Sequence, residues 1–395
     1  MNLPLDCVVI LDCSRLLPGP FATQLLANLG ADVIKVEDPA LGDYMRVLPP
    51  LVDGTSYPFL MVNRGKRSVV VDLRKEEGRE VLYRLAKKAD VFVEQFRPDT
   101  TKKLGIDYPR IRRANPNIVY CSFGGFGRTG PHANKPAHDL NFEALAGILS
   151  VTSAQGGRPV IPGVPVSDLA SAFLAAMSIV ASLHRRKRFG GGEFLEVSIF
   201  DASLSLMVLN LAHYLGTRTL PSAGETIVTG IFPFYNLYET RDARWLSVAC
   251  VETKFWRRLC ELLGLDEHVE DQFAGGEVGQ QVLEKLQSAF RQRTLATWTK
   301  LFEAEDLPVS PVRTMDEVVG DPHVKARGLL PEVPVGGGRY PVLAHPAKPH
   351  GSRVRTPAHA PAQGEDTDEV LRWAGFSKAR IAALRRGRAV GVTGP

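Results

Sequence analysis

A histidine and two aspartates stand in this sequence where they could move protons. His138 and Asp139 adjoin in "PAHDLNFEALAG", where a loop rich in glycine and proline gives way to an apolar periodic run. Asp168 lies further along, in "PVSDLASA", at the predicted start of another helix. Imidazole and carboxyl groups are common general acids and bases, so His138 and Asp168 could flank a single carbon of a substrate.

Each of these residues also has an ordinary structural interpretation. Asp139 can be a helix N-cap with His138 packing below it, and Asp168 can cap its own helix. Glu252, in "SVACVETKFW", stands at a strand–helix junction, where a glutamate is commonly solvated. The functional alternative is that a helix start offers free backbone N–H groups. The N–H of Asp139 would then hold an oxygen that gains negative charge.

Several cations, mostly in loops that follow predicted strands, are candidates for neutralising the phosphates of a ligand. Three of them precede a buried strand in "NRGKRSVVVDL". Any one of them can be an ordinary surface charge, but together they could neutralise several phosphates. The candidates are Arg46, Arg64, Lys66, Arg97, Lys102 and Lys103.

Two kinds of site are disfavoured by the spacing of residues. The first strand–helix loop reads "SRLLPGP" instead of the GxGxxG fingerprint, so we expect no nicotinamide cofactor and read Glu37 as a solvated strand end. The histidines of "HPAKPH" (345–350) lack neighbouring carboxylates and the cysteines are scattered, so we expect no metal site.

Composition narrows the class of protein. A net charge of +5 with interspersed signs argues against nucleic-acid binding but allows a small polyanionic ligand. We find no apolar run long enough to cross a bilayer and no secretory signal, so we expect no membrane association. The odd number of cysteines, 5, suits buried thiols in the reducing cytoplasm.

The predicted fold is α/β: a doubly wound, mostly parallel, Rossmann-like sheet with a smaller α+β domain. β-branched runs alternate with amphipathic helices through the first part of the chain. We predict single helices over 139–150, 167–188 and 201–216. We assign residues 1–200 and 340–395 to a large domain, 225–325 to the small domain, and 201–224 and 326–339 to connectors.

The assembled motifs resemble the CaiB/BaiF superfamily of family III CoA-transferases and α-methylacyl-CoA racemases. The resemblance covers nearly the whole chain, in order, and implies that the large domain (residues 1–200 and 340–395) binds coenzyme A. It rests on "ILDCSRLLPGPFATQLLANLGADVIKVE", "NRGKRSVVVDL", "ADVFVEQFRPD", "NPNIVYCSFGGFGRTGP" and "DLPVSPVRTMDEVVGDPHVKARG".

Within that superfamily the chain is most similar to the racemases. "HDLNF" matches their HD-[IL]-N-[YF] pattern, Asp168 matches their aspartate, and "VETKF" matches the segment that carries their glutamate, here Glu252. The resemblance implies inversion of the α-carbon of a 2-methyl-branched acyl-CoA by 1,1-proton transfer. His138, oriented by Glu252, and Asp168 would carry the protons, with no cofactor beyond the coenzyme A of the substrate.

The resemblance also allows other interpretations. In the transferases the aspartate at position 168 is a nucleophile, and tyrosine replaces His138, with glutamine and alanine four and five residues after Asp139. A protein that only binds CoA esters is a third alternative. Family likeness further implies an interlocked homodimer with Glu252 reaching His138 across subunits. Two residues depart from the pattern: Glu143 replaces an apolar residue, and Asp38 stands where a basic residue often contacts the nucleotide.

Overall fold

A computed structural model describes residues 3–154, 156–348, 354–357 and 359–391. The chain divides into two compact units. Unit 1 comprises Met1–Ala146, Val164–Leu206 and Pro322–Pro395, and unit 2 comprises Gly147–Gly163 and Met207–Asp321.

These boundaries differ from the predicted ones in several places. Residues 147–163, which we assigned to the large domain, group with unit 2. Residues 322–325, which we assigned to the small domain, and the predicted connector 326–339 group with unit 1, and the predicted connector 201–224 is divided between the units at Met207. Residues 349–353 and 358, within the predicted 340–395 segment, lie outside the described residues and include the end of "HPAKPH".

Short extended segments supply the sheets of both units. The strands, in chain order, are β1 Val9–Cys13, β2 Asp32–Glu37, β3 Leu51–Val52, β4 Thr55–Ser56, β5 Arg67–Val70, β6 Val91–Glu94, β7 Val119–Gly124, β8 Glu193–Ser198, β9 Tyr235–Glu239, β10 Trp245–Ala249, β11 Val309–Pro311, β12 Glu332–Val335 and β13 Gly338–Pro341.

Within the described residues, six strands of unit 1 form a parallel sheet in the order β5-β2-β1-β6-β7-β8. Their β-branched runs are buried on both faces, as a doubly wound sheet requires. The predicted α/β class with a large parallel sheet is therefore confirmed. Because all these strands run in one direction, their carboxyl ends share one edge, where ligands bind in such folds.

Helices cover both faces of this sheet and fill unit 2. They are α1 Pro18–Asn28, α2 Tyr57–Asn63, α3 Glu76–Lys88, α4 Pro98–Leu104, α5 Tyr108–Ala114, α6 Asp139–Leu145, α7 Ile148–Val151, α8 Val166–Phe189, α9 Ile199–Leu206, α10 Val208–Thr217, α11 Thr253–Leu263, α12 Gly276–Phe290, α13 Leu295–Glu303, α14 Met315–Gly320, α15 Pro322–Ala326, α16 Thr367–Trp373 and α17 Lys378–Arg386. Two 3₁₀ helices span Tyr44–Val47 and Asp266–Asp271.

Two predicted helices are each split in the structure. The helix predicted over 139–150 breaks into α6 and α7 because Gly147 adopts a left-handed conformation, with φ of 87°. The helix predicted over 201–216 is divided at Met207, the residue before α10. Both breaks coincide with transitions between unit 1 and unit 2.

Unit 2 has its own core beside an antiparallel sheet in the order β11-β10-β9. Helices α11, α12 and α13 contribute Trp256, Phe290 and Trp298, all of which are buried. In unit 1 helix α16, the first of the two helices near the C-terminus, packs against the edge strand β5, and its Val370 and Leu371 join the core on that face of the sheet.

Helix α8 corrects one expectation from the sequence. By length and composition it could span a bilayer, and 39 % of its most apolar stretch is buried within this chain. One face packs through small residues such as Ser171, Ala172 and Ala175. The exposed side carries Phe173 and Met177, so this helix presents an apolar surface that the rest of unit 1 leaves uncovered.

Candidate active site

Two cavities open at the carboxyl edge of the parallel sheet. The first, of about 260 Å³, lies beyond the ends of β1, β2 and β5. The second, of about 250 Å³, lies beyond β6 and β7 and includes His138 in its wall. Phe96, in the loop after β6, lines both cavities, so they are neighbours along one edge.

The chain around His138 is held by aromatic packing below it. Phe142 of α6 is buried and contacts Phe126, with ring centroids 5.0 Å apart. Phe142 fits there because Gly125 has no side chain; a Cβ at that position would lie 2.9 Å from the ring. Asn141 accepts the backbone N–H of His138 at 3.0 Å through Oδ1. These contacts fix the backbone at the start of α6 and leave the His138 side chain exposed in the cavity wall.

The ordinary interpretation of Asp139 as the N-cap of α6 is wrong. Asp139 is the first residue of α6, and His138 occupies the N-cap position. Its side chain instead crosses to α8, where Oδ1 accepts the backbone N–H of Asp168 at 2.9 Å. Its own backbone N–H has no acceptor among the described residues.

Asp168 lies in the first turn of α8, which begins earlier than predicted. Pro165 is the N-cap, so neither Ser167 nor Asp168 caps the helix. Burial, followed by the negative charges of Asp139 and Glu143, raises the pKa of Asp168 to about 7. These surroundings favour the protonated form of Asp168, although it is not part of the wall of the second cavity.

Glu143 is a site residue that the sequence analysis did not select. We noted it only as a departure from the family pattern, whereas the residue is 1 % exposed and its Oε1 accepts the backbone N–H of Val166 at 3.2 Å. The spacing of four residues from Asp139 was the available signal, since it places both carboxyls on one face of α6.

Glu252 lies in unit 2, in the N-cap position of α11. Its residue is exposed, and its side chain makes no capping hydrogen bond to the helix. Within the described residues of unit 2, the Glu252 carboxylate therefore does not stabilise the start of α11. The predicted contact with His138 stays a prediction.

Lys66 does not reach solvent, which contradicts its assignment as a phosphate ligand. It is 3 % exposed, and its Nζ lies 3.0 Å from Asp12 Oδ2 and 2.7 Å from Thr23 Oγ1. Burial lowers the pKa of Lys66 to about 8. Burial acts to raise the pKa of Asp12, but Lys66 and Lys35 hold it well below its ordinary value. Lys66 therefore neutralises a buried carboxylate under the β1–α1 loop.

Arg64 and Arg46 are also occupied by the protein itself. Arg64 is 1 % exposed and donates to the carbonyl oxygens of Met61, at 2.6 Å, and Leu343. Arg46 makes two hydrogen bonds to Glu37, at 2.8 and 2.6 Å. Glu37 is accordingly buried and paired, and its assignment as a solvated strand end is wrong.

The remaining predicted cations stay exposed at the sheet edge. Arg97, Lys102 and Lys103 are exposed, Arg97 lines the second cavity, and Lys103 precedes Leu104 in the wall of the first. The structure adds cations that the sequence analysis did not select. Arg15 and Arg74 line the first cavity, and Arg128 and Lys135 line the second.

A buried glutamate lies close to the second cavity. Glu94, the last residue of β6, is 0 % exposed and accepts the hydroxyl of Ser122 at 2.6 Å. Burial raises the pKa of Glu94 to about 7, while Ser122 and the N–H of Phe96 oppose that rise. Since its other oxygen accepts the Phe96 N–H at 2.8 Å, Glu94 holds the loop that lines both cavities. Within the described residues, no group of three or more His, Cys, Asp or Glu is arranged to hold a metal ion.

Comparison with known proteins places the sequence in a family. The sequence profile of CoA-transferase family III matches residues 5–367. Succinyl-CoA:glutarate CoA-transferase of Mus musculus is 33 % identical over 336 residues, covering 84 % of this chain and 77 % of the mouse protein. Alpha-methylacyl-CoA racemase of Homo sapiens is 31 % identical over 386 residues, covering 96 % of each chain.

A solved structure gives the same result for the fold. The crystal structure of a CaiB/BaiF family protein from Brucella suis matches with a TM-score of 0.83 at 29 % identity, covering 95 % of this chain and all of that chain. The resemblance seen in the sequence motifs is confirmed: the chain belongs to CoA-transferase family III.

Proposed function

We propose that this chain inverts the α-carbon of a 2-methyl-branched acyl-CoA thioester by 1,1-proton transfer. The observation that carries the proposal is the junction of α6 and α8. There His138 and Asp168 stand on helix starts that the Asp139–Asp168 hydrogen bond ties together. Asp168 is held near a pKa of about 7, which suits a group that must both give and take a proton at neutral pH.

The reaction follows from the acidity of the carbon next to a thioester carbonyl. One of the two residues removes the α-proton, and the electron pair of the C–H bond moves onto the carbonyl oxygen to give a planar enolate. The other residue then delivers a proton to the opposite face, and the carbonyl re-forms. The chemistry needs no metal or redox cofactor, and the coenzyme A is part of the substrate.

The free backbone N–H of Asp139 is the proposed donor to the enolate oxygen. It adjoins His138, and no acceptor among the described residues uses it. Donors of this kind, when removed from comparable sites, cost on the order of 3 kcal/mol of transition-state stabilisation. In the proposed function the Asp139 side chain therefore positions Asp168, and the Asp139 backbone N–H binds the enolate oxygen.

The two cavities suggest how the rest of the substrate binds. We place the phosphorylated end of coenzyme A at the first cavity, where Arg15 and Arg74 stand, and the thioester at the second, beside His138. Arg97 and Lys103 are exposed near this path and remain candidates for phosphate contacts. Binding energy gained at the distant nucleotide can then position the acyl group at the reacting carbon.

The proposed active form is a homodimer in which Glu252 of a second subunit orients His138. Support comes from apolar surface within each unit. In unit 1, α8 exposes Phe173 and Met177, and in unit 2 no residue of α10 is buried, with Val208 and Leu209 both exposed. Contiguous exposed apolar surface commonly marks a protein interface.

A CoA-transferase is the alternative that specific observations favour. Relatives with about a third identity include proteins named as CoA-transferases, among them the mouse protein described above. Ala144 also matches the alanine typical of the transferases, although Glu143 stands in place of their glutamine. In that reaction Asp168 would attack the thioester carbonyl and displace the coenzyme A thiolate, which leaves an acyl–aspartyl anhydride. The thiolate would attack the aspartyl carbonyl and release the first carboxylate. An incoming carboxylate would displace the thiolate and form a second anhydride, and thiolate attack on the new acyl carbonyl would give the product thioester and free Asp168.

One experiment separates these functions. The protein is incubated in heavy water with one enantiomer of a 2-methylacyl-CoA and without free carboxylic acid. Deuterium at the α-carbon, with loss of optical purity, supports the racemase. Coenzyme transfer that begins only when a carboxylic acid is added supports the transferase, and binding without either reaction points to a scaffold.

The His138→Ala variant tests whether His138 carries protons in this reaction. We expect the variant to lose α-proton exchange while still binding the CoA ester, since His138 lines only the end of the path where the thioester is placed. If exchange and binding fall together, His138 has a structural role and the proposed function loses its first proton carrier.

A further inference from the structure

Glu143 is buried at the junction of α6 and α8, where a carboxyl group is costly. Its side chain is 1 % exposed. One oxygen, Oε1, accepts the N–H of Val166, the first residue of α8, at 3.2 Å. The other, Oε2, has no N–H or O–H donor among the described residues. Buried polar atoms normally have partners, so this oxygen requires an explanation.

A second carboxyl group interacts with Glu143. Asp139 lies one helical turn earlier on α6, and burial followed by a hydrogen bond with the Asp139 side chain raises the pKa of Glu143. Two carboxyl groups form such a bond only when one of them holds a proton. A proton shared between Glu143 and Asp139 would give Oε2 the partner that it otherwise lacks.

Asp168 completes a group of three carboxyls, and no cation of the described residues pairs with any of them. The charges that act on Asp168 are those of Asp139 and Glu143. Helix α9, which also packs on α6, brings Asp201, which is exposed. The loop before α6 brings Lys135 and His138, both exposed. The basic residues of α8, Arg185–Arg188, stand in its last turns, at the other end of the helix.

We propose that Glu143 is a positioning residue that joins Asp139 and Asp168 into one proton-holding unit. Like charges oppose one another, so each carboxyl that ionises makes the next harder to ionise, and the three titrate together. Asp168 thereby keeps a proton at a pH where an isolated aspartate would have lost it. The inference rests on the role of Asp168 in the proposed function, but its test does not depend on which reaction the protein catalyses.

The test is a carboxyl titration by NMR on the whole protein. Aspartate side chains are labelled with ¹³C at the carboxyl carbon, and the Asp168 signal is identified by its absence from the Asp168→Asn variant. Glu143→Gln is nearly isosteric, retains an acceptor for the Val166 N–H and adds a donor toward Asp139, but it cannot ionise. Glu143→Leu removes both the charge and the acceptor. Asp201→Asn removes one negative charge elsewhere in unit 1 and serves as the matched control.

We expect the Asp168 midpoint to fall by about one pH unit in Glu143→Gln, and its titration curve to become narrower because only Asp139 is then left to interact with it. Glu143→Leu should move the midpoint by a similar amount, and Asp201→Asn should leave it within about 0.2 unit because its charge is exposed and screened. If Glu143→Gln leaves both midpoint and width unchanged, the proposal is wrong. If only Glu143→Leu moves the midpoint, Glu143 acts solely as a cap for α8, which also contradicts it.

Activity profiles distinguish this inference from the proposed function. If the protein exchanges α-protons, Glu143→Gln should shift toward lower pH the limb that requires protonated Asp168. If it transfers coenzyme A instead, the proposed function fails, but the same lowered midpoint should appear in the opposite limb, where ionised Asp168 is required. An unchanged limb in whichever reaction occurs would contradict the role of Glu143 alone.

Discussion

Replacing Lys66 by methionine tests whether this cation belongs to the ligand or to the fold. The substitution keeps a long unbranched side chain and removes the ammonium group. In the structure that group donates to Asp12, Thr23, the Asn63 side chain at 2.9 Å and the carbonyl oxygen of Pro20 at 3.0 Å. Lys66→Met would leave these acceptors short of a donor and leave Asp12 buried with less positive charge around it.

The size of the effect follows from burial. Removing one partner of a buried ion pair typically costs about 3–5 kcal/mol, because the remaining charge stays desolvated. Lys35 still acts on Asp12 from within the same cluster, so we expect the lower end, about 3 kcal/mol. At about 2–4 °C per kcal/mol, the melting temperature should fall by roughly 6–12 °C.

Thermal unfolding followed by circular dichroism measures the fall, and calorimetry with an acyl-CoA measures binding at a temperature where the variant is folded. Lys103→Met is the matched control, since Lys103 is exposed. Its melting temperature should stay within about 2 °C, because surface substitutions usually cost less than 0.5 kcal/mol. The double variant Asp12→Asn/Lys66→Met should recover part of the loss, since neither partner is then left charged. Unchanged melting with weakened acyl-CoA binding in Lys66→Met would refute this reasoning and restore Lys66 as a phosphate ligand.

Three further predictions concern the site. With its pKa at about 7, Asp168 is protonated below that pH. For the substrate enantiomer whose enolate is reprotonated by Asp168, the exchange rate should therefore fall about tenfold per pH unit above pH 7. For the other enantiomer, from which ionised Asp168 removes the proton, it should fall about tenfold per unit below pH 7. Deuterium-exchange rates measured from each enantiomer check this, and flat profiles would contradict the assignment. Asp38→Asn should tighten acyl-CoA binding about two- to threefold at low salt, because it frees Arg15, 3.9 Å away and partly exposed. An unchanged affinity would remove Arg15 from the proposed phosphate path. Met177→Glu, on the exposed face of α8, should convert a dimer to monomers in sedimentation velocity; a persisting dimer would place the interface elsewhere.

The fold of unit 1 was predictable because its signals are local. β-branched runs such as "CVVILD" alternate with amphipathic helices, and continuous apolar strands are typical of a sheet covered on both faces. Helix ends were less predictable. Gly147 sits in an otherwise continuous apolar pattern, and nothing in that pattern states that the backbone there turns left-handed. The start of α8 was misplaced because Pro165 serves as N-cap without a side-chain oxygen.

The cations of the sheet edge show where sequence reasoning reached its limit. Lys66 and Lys103 look alike in the sequence, since each lies near charged neighbours and a predicted strand or helix. What separates them is Asp12, which is distant in the chain and meets Lys66 only because β1 and the α2–β5 loop come together in the fold. Contacts between residues so far apart carry no local pattern, so burial of a cation could not be inferred.

The choice between the two family reactions rests more on His138 than on Asp168. Acidic surroundings that make Asp168 hard to ionise suit a proton carrier. They would also favour a neutral acyl anhydride on the same residue, because forming it removes a charge. Asp168→Asn should therefore stop either reaction and cannot discriminate between them. His138 has a task only in proton exchange, beside the free N–H of Asp139, so a His138 variant that still transfers coenzyme A at the full rate would assign this site to the transferases.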